Sequence, residues 1–325
     1  MTRNLDSLDR LNQLADTNAY GVDDLNWSRP IQRQRLWGPE SLAPLTYLPA
    51  YGLLDDDEKR RLNQLFSLAV CEQFIWLEVN ILVRTLRRVL KRWPMSDGLR
   101  TALNFFIEEE MKHTEMFWRT LEKAEPEWYR GRRFRLFNTS GFQALLVEQI
   151  IRNPTLWLVW IWMAIFFEER TVSYCRHYRR AYHRDPDSID PTFVDLHKYH
   201  FMDEARHFQL DQYLLAECYD QQPRWKRKLA GHMFYHVMKS YTAPRRTSWR
   251  ILEILGQEFP QLTKSIIPAF LAQIPSLATS EPFHRMAFSR EAVPKTMALF
   301  AEYDELDRLW PLFVVENRDQ YKRQA

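Results

Sequence analysis

The chain has 325 residues, a net charge of +3 and a pI of about 8.7, with 46% hydrophobic and 14% aromatic residues, enough for one large core or two smaller ones. Only 8 glycines over this length weigh against parallel α/β folds and β-sandwiches, which spend glycine on turns. Three cysteines without paired spacing exclude a disulfide framework and fit a reducing cytoplasm, and so mild a charge gives no ground to expect nucleic acid as a partner.

The opening MTRNLDSLDRLNQLADTN has no basic segment leading into an apolar one, so no signal peptide is expected. A short helix near the start is followed by irregular chain to about residue 55. There SRPIQRQRLWGPESLAPLTYLPAYG, with four prolines, reads as a strap. DDDEKRRLNQLF (Asp55 to Phe66) puts acids at the positive end of a helix that runs to Trp93 and stops at Pro94. Ser96 caps a second long helix, to Ala124. The basic run YRGRRFRLF (Tyr129 to Phe137) is better explained as a solvated turn than as a phosphate-contacting segment.

A third helix begins near Gly141, NPT (Asn153 to Thr155) marks a break, and a long helix continues to Arg184. Its apolar run LWLVWIWMAIFF (Leu156 to Phe167) is well short of the ~20 residues of a membrane span, so it reads as buried core and no membrane partner is expected. Asp190 caps a helix from Thr192 to Tyr219. Beyond it, Pro244, Pro260, Pro268, Pro275, Pro282, Pro294 and Pro311 break up several further helices. The fold class expected is all-α, as one domain over residues 1–325: a strap (1–55), a four-helix core (56–220) and a helical C-terminal cover (221–325).

Within that core, HKYHFMDEARHFQ (His197 to Gln209) concentrates metal-type side chains. His200, Glu204 and His207 share one helical face, and His197 lies at its edge. Buried glutamate is costly without a partner or cation, so this stripe points to a metal, and imidazole with carboxylate suits Fe, Mn or Zn. Upstream, EEMKH (Glu109 to His113) matches DEARH (Asp203 to His207), each placing a Glu three residues before a His: Glu110 before His113, Glu204 before His207. Two such motifs on two long helices mark a dinuclear site in a four-helix bundle, which needs one further Glu from each remaining helix. Glu281-Pro-Phe-His284 has the same spacing but lies in a proline-broken region and is set aside.

On the first helix, Glu78 stands about as far from the turn at Pro94 as Glu110 does, whereas Glu72 overshoots by about two turns. On the third, Glu168 points with Thr171, Val172 and Cys175, small side chains that leave room for a substrate. Glu169 points with Arg176 and Arg180, where a surface salt bridge suffices. The face favours Glu168, with Glu169 the alternative. Asp203 is placed to orient a ligand imidazole, Glu109 reads as a surface charge and Cys175 as a packed small residue. The pair His232 and His236 lacks an acid at metal spacing.

The set E, E-x-x-H, E, then H-x-x-x-E-x-x-H, at Glu78, Glu110, His113, Glu168, His200, Glu204 and His207, resembles the AurF/CmlI-type non-haem diiron oxygenases, the p-aminobenzoate N-oxygenase family. His200 is the telling residue, since ferritins and most diiron carboxylate proteins lack it. The resemblance covers roughly residues 35–220. It implies a ferritin-like fold, two Fe ions held by those seven residues, O2 as co-substrate and oxygen transfer to an amine nitrogen. It further implies a small amine substrate, aromatic or carrier-tethered, in specialised metabolite biosynthesis, an external electron donor and, in keeping with proteins of this type, a homodimer. A C–H hydroxylase or desaturase on the same site, or a non-catalytic iron-binding bundle, are the alternatives.

Overall fold

The computed structural model describes residues 6–137, 141–153 and 156–322. Ser7 starts α1 (Leu8–Thr17) by accepting from the Arg10 N–H at 3.2 Å. Asp55 opens the first long helix through a reciprocal cap: its carboxylate accepts from the Glu58 N–H and Glu58 accepts from the Asp55 N–H, both at 2.9 Å. This helix is α2 (Asp56–Leu77), and it does not run uniformly to Trp93. A π-helical turn, Glu78–Val83, separates it from α3 (Arg84–Arg92). Such turns hold an extra residue, break the regular hydrogen-bond ladder and recur at functional sites.

Ser96 accepts from the Leu99 N–H at 3.3 Å and begins α4 (Asp97–Ala124). Short α5 (Pro126–Tyr129) and α6 (Gly141–Arg152) follow. Pro154 and Thr155 of the expected NPT break lie outside the described residues, and α7 spans Leu158–Arg184. Asp190 caps α8 (Pro191–Leu214) by accepting from the Thr192 N–H at 2.7 Å, and a second π-helical turn, Leu215–Tyr219, extends it. α7 lies along α8, while α4 packs against both α2 and α8, which closes a four-helix bundle.

The strap is pinned to this bundle by buried amides. Asn63 of α2 accepts from the Trp37 and Gly38 N–H groups (2.9 and 3.2 Å) and donates to the Gly38 carbonyl (2.8 Å). Gly38 passes so close to α7 that a Cβ there would sit 2.6 Å from the Tyr178 hydroxyl, so only glycine fits. An isolated parallel bridge joins Leu36 to Ile189, and there is no strand among the described residues.

The C-terminal part comprises α9 (Arg224–Tyr241), α10 (Arg245–Glu258), α11 (Ile266–Gln273), α12 (Glu281–Phe288), α13 (Pro294–Glu302) and α14 (Arg318–Lys322), with 3₁₀ turns between them. Here most of the prolines open helices rather than break them. Pro294 is the first residue of α13, Pro282 the second of α12 and Pro268 the third of α11, positions whose N–H has no partner inside the helix. The stretch Asp56–Arg92 is long and apolar enough to cross a membrane by length and composition, but 67% of its most apolar window is packed inside the protein.

Candidate metal centre

Glu78, Glu110, His113, Glu168, His200, Glu204 and His207 are all buried and converge from four helices. They fall into two adjoining groups. Glu78, His113 and His200 form one; Glu110, Glu168, Glu204 and His207 form the other. His200 thus joins the imidazole of α4 rather than His207 of its own helix, and the His113 and His200 rings stand 4.5 Å apart.

Two carboxylates reach across the groups. Glu204 Oε1 is 2.8 Å from His200 Nε2, 3.6 Å from His113 Nδ1 and 3.8 Å from His207 Nδ1. Glu110 Oε1 is 2.9 Å from His207 Nδ1 and 3.9 Å from His113 Nδ1. Glu168 approaches His207 Nδ1 at 3.7 Å, and Glu78 Oε1 approaches His200 Nε2 at 3.4 Å. The second Glu78 oxygen accepts from the Thr114 hydroxyl at 3.0 Å, which fixes the carboxylate with one oxygen free to face inward.

These contacts are close without being hydrogen bonds. Glu78 Oε1, Glu110 Oε1, Glu204 Oε1, His113 Nδ1 and His207 Nδ1 are buried and have no hydrogen-bond partner. Buried polar atoms are normally satisfied, so five orphans aimed at one another need a third body between them. Ligands about 2.1 Å from a common cation and at right angles to one another stand about 3 Å apart, close to the shortest approaches here. Four carboxylates, when ionised, also balance two divalent cations, and an oxygen and imidazole set without thiolate suits Fe or Mn better than a structural zinc. The residues present fit a pair of metal ions.

The far nitrogens of two imidazoles are held by a crossed arrangement. His113 Nε2 of α4 lies 2.9 Å from Asp203 of α8, and His207 Nε2 of α8 lies 2.8 Å from Glu109 of α4. Each acid just before a motif glutamate therefore orients the imidazole of the other motif, and leaves its Nδ1 as the inward-facing donor. Arg206 ties both acids together, bonding Glu109 and reaching Asp203 at 2.6 Å; Lys112 adds a bond to Asp203 at 2.8 Å. Tyr20, from the strap, stands 3.1 Å from His113 Nε2. Asp203 is thus buried against the His113 imidazole. Glu109 is not a surface charge but a buried partner of His207 and Arg206, because the arginine and imidazole that neutralise it come from another helix.

Electrostatics follow from this burial. Desolvation drives Glu110 up to about 8, against the opposing effect of His207. Desolvation, then the charge of Glu204, pushes Glu168 well above the usual carboxylate range. Burial disfavours charge on His200 and His207, yet the surrounding carboxylates outweigh it and both are raised well above their ordinary value. Burial, aided by His200, pushes His113 well below it. Asp203 also pays for burial, but the bond from His113 and the nearby cations carry it well below the ordinary range.

Glu169 does not reach the centre. It is buried rather than paired with Arg176 and Arg180, and it caps α13, accepting from the Lys295 N–H at 3.0 Å and the Thr296 N–H at 2.6 Å. Glu169→Ala is expected to destabilise the fold by about 1–2 kcal/mol with metal content unchanged. Glu168→Ala should instead cut bound metal to about one ion per chain. Denaturant midpoints and metal analysis of the two variants check this; metal loss on changing Glu169 would contradict it.

Glu72, set aside by its level, anchors the 135–137 loop: it accepts from the Tyr129 hydroxyl (2.6 Å) and the Arg135, Leu136 and Phe137 N–H groups (2.8, 2.9 and 2.6 Å). His197 belongs to neither group; it packs on the Tyr178 ring at 4.1 Å and is pushed down to about 3 by burial, then by His200. Cys175 is buried and donates to the His197 carbonyl at 2.8 Å. His232 and His236 are exposed, with their Nε2 atoms 3.3 Å apart, and His284 is buried outside both groups.

Sequence reasoning missed Thr114, which could have been found one residue past His113, and Asp211, one turn past His207. Asp211 is fully buried with neither oxygen partnered, and burial, then the charge of Glu168, raises it well above the ordinary range.

A four-helix bundle that buries two adjoining carboxylate and imidazole groups, with further helices after it, is a ferritin-like dinuclear metal fold. A family model described as P-aminobenzoate N-oxygenase AurF matches residues 3–255, and the chain belongs to that family of diiron oxygenases. No curated protein matches the chain.

Proposed function

We propose that the seven convergent side chains hold two iron ions and that the protein is an O2-dependent monooxygenase that places oxygen on the nitrogen of a small amine in specialised metabolism. The observation that carries this reading is the third imidazole, His200, built into the Glu78 and His113 group of a chain that belongs to an N-oxygenase family. In it, Glu78, His113 and His200 would hold one ion and Glu168 and His207 the other, with Glu110 and Glu204 placed between the two groups. Bound iron would supply the O2-activating redox chemistry, with electrons from an external donor.

The chain's own residues supply order and dryness. Asp203 and Glu109 fix two imidazoles by their far nitrogens. Phe74 and Phe117 pack edge-on to His200 at 4.9 and 5.0 Å, and Phe106 stacks on His207 at 3.8 Å, which shields the imidazoles from water. The reading also takes the substrate as aromatic or carrier-tethered, the site of action as the cytoplasm and the assembly as a homodimer.

The test combines metal analysis with an amine panel under ¹⁸O2 and a chemical reductant. Two irons per chain and label on nitrogen are expected. His200→Ala should keep most of the iron yet lose nitrogen oxygenation by about tenfold or more. Label on carbon would indicate a hydroxylase, and iron without organic product would indicate storage. Oxygenation untouched by His200→Ala would remove the role given to that residue.

A further inference from the structure

A second feature shares no residue with the metal centre. A cavity of about 820 Å³ opens between the Phe134–Leu136 segment, α10 and the end of α11. Four arginines line it, Arg135, Arg245, Arg246 and Arg250, together with apolar residues that include Trp249 and Leu271, and among the described residues no acidic side chain lines it. The whole chain carries only +3, so four guanidiniums around one cavity, one of them offset by Glu253, are a local concentration of positive charge. Its size is that of a small-molecule site.

The cavity is built rather than incidental. Its floor, Arg135 and Leu136, hangs by backbone N–H groups from the buried carboxylate of Glu72 at 2.8 and 2.9 Å. Arg250 is fixed against that floor, donating from Nε to the Arg135 carbonyl at 2.8 Å, and pairs outward with Glu253. Arg245 has no side-chain partner among the described residues and is free to meet an anion. Trp249 is 51% exposed beside these cations, a large ring left wet at the rim of a cationic cavity.

We propose that this cavity binds a phosphorylated small molecule carrying a planar ring, of nucleotide type. Guanidinium forks suit phosphate oxygens in pairs, and Arg245, without a side-chain partner among the described residues, offers one beside Arg135. The ring of the ligand lies against Trp249 and the apolar residues. Arg135 brings the basic, aromatic-interleaved run from Tyr129 to Phe137 to the lining of this cavity.

Calorimetric titration of the full-length protein with ADP and with FMN tests this, with pyrophosphate and adenosine as half-ligands. At least one of the two whole probes should bind at about 100 µM or tighter, and more weakly as salt rises. Joint replacement of the exposed Arg245 and Arg246 by alanine should weaken it by about tenfold or more, with circular dichroism unchanged. Trp249→Ala should weaken the ring-bearing probes and leave pyrophosphate as it was. No saturable binding of either probe overturns the proposal. So does binding that the arginine replacements leave intact, or pyrophosphate binding as tightly as the whole probes, which marks a bare anion site.

Discussion

Glu204→Ala is expected to remove both metal ions, not one. The Glu204 carboxylate lies within 4 Å of His113, His200 and His207, so it faces every imidazole of both groups. Glu78, His113 and His200 would each serve one ion only. Removing Glu204 takes a donor from each ion, and also the negative charge that lets two cations sit side by side. Metal per chain should fall below one, while Glu168→Ala keeps about one. The loss shows in stability as well. A ligand at a hundredfold excess over its Kd contributes about 2.7 kcal/mol per site. Wild-type melting should therefore rise on addition of Fe(II) or Mn(II), and Glu204→Ala melting should be nearly indifferent to it. Two ions retained by the Glu204 variant, with unaltered metal-dependent melting, would show that the carboxylate does not span the pair.

The spacing of Glu110, His113, His200, Glu204 and His207 was legible because helical periodicity alone decides which side chains on one helix share a face. Glu78 needed a second argument, distance from a turn, and Glu168 a third, the character of its neighbours. What the sequence could not show was what other segments bring to a side chain. Glu169 shares a face with Arg176 and Arg180 on its own helix, but its partners are the N–H groups of Lys295 and Thr296, far along the chain. Glu109 lies between exposed Glu108 and buried Glu110, and its partners Arg206 and His207 arrive from α8. The π-helical turn at Glu78 left no mark either: no proline or glycine interrupts EVNILV. The prolines after residue 240 were visible but ambiguous, since a proline can open a helix as readily as end one.

In the metal-free protein, stability should fall as pH rises from about 6.5 to 8, and metal should abolish most of that fall. Glu110 binds its proton up to about pH 8, whereas an exposed glutamate in the unfolded chain gives it up near 4.5. Between those values the native state holds the extra proton, so raising the pH favours unfolding, by up to about 1.4 kcal/mol per pH unit for each such group. Glu168, raised in the same direction, adds to the slope. His200 and His207 act with the same sign: their contribution is fully present below the ordinary histidine value and is lost as pH rises through their raised values. His113, depressed by burial, opposes this only below that ordinary value, and Asp203 acts only in acid. Above about pH 6.5 every remaining contribution therefore points downward.

A divalent ion takes the place of these protons. Its binding at pH 7 should release at least one proton, read by calorimetry in buffers of different ionisation enthalpy. Glu110→Gln keeps a neutral group at that position at every pH, so it should flatten the metal-free slope while losing metal. A denaturant midpoint that stays level or rises from pH 6.5 to 8 without metal would mean that neither the carboxylates nor the imidazoles of the centre hold extra protons in the native state.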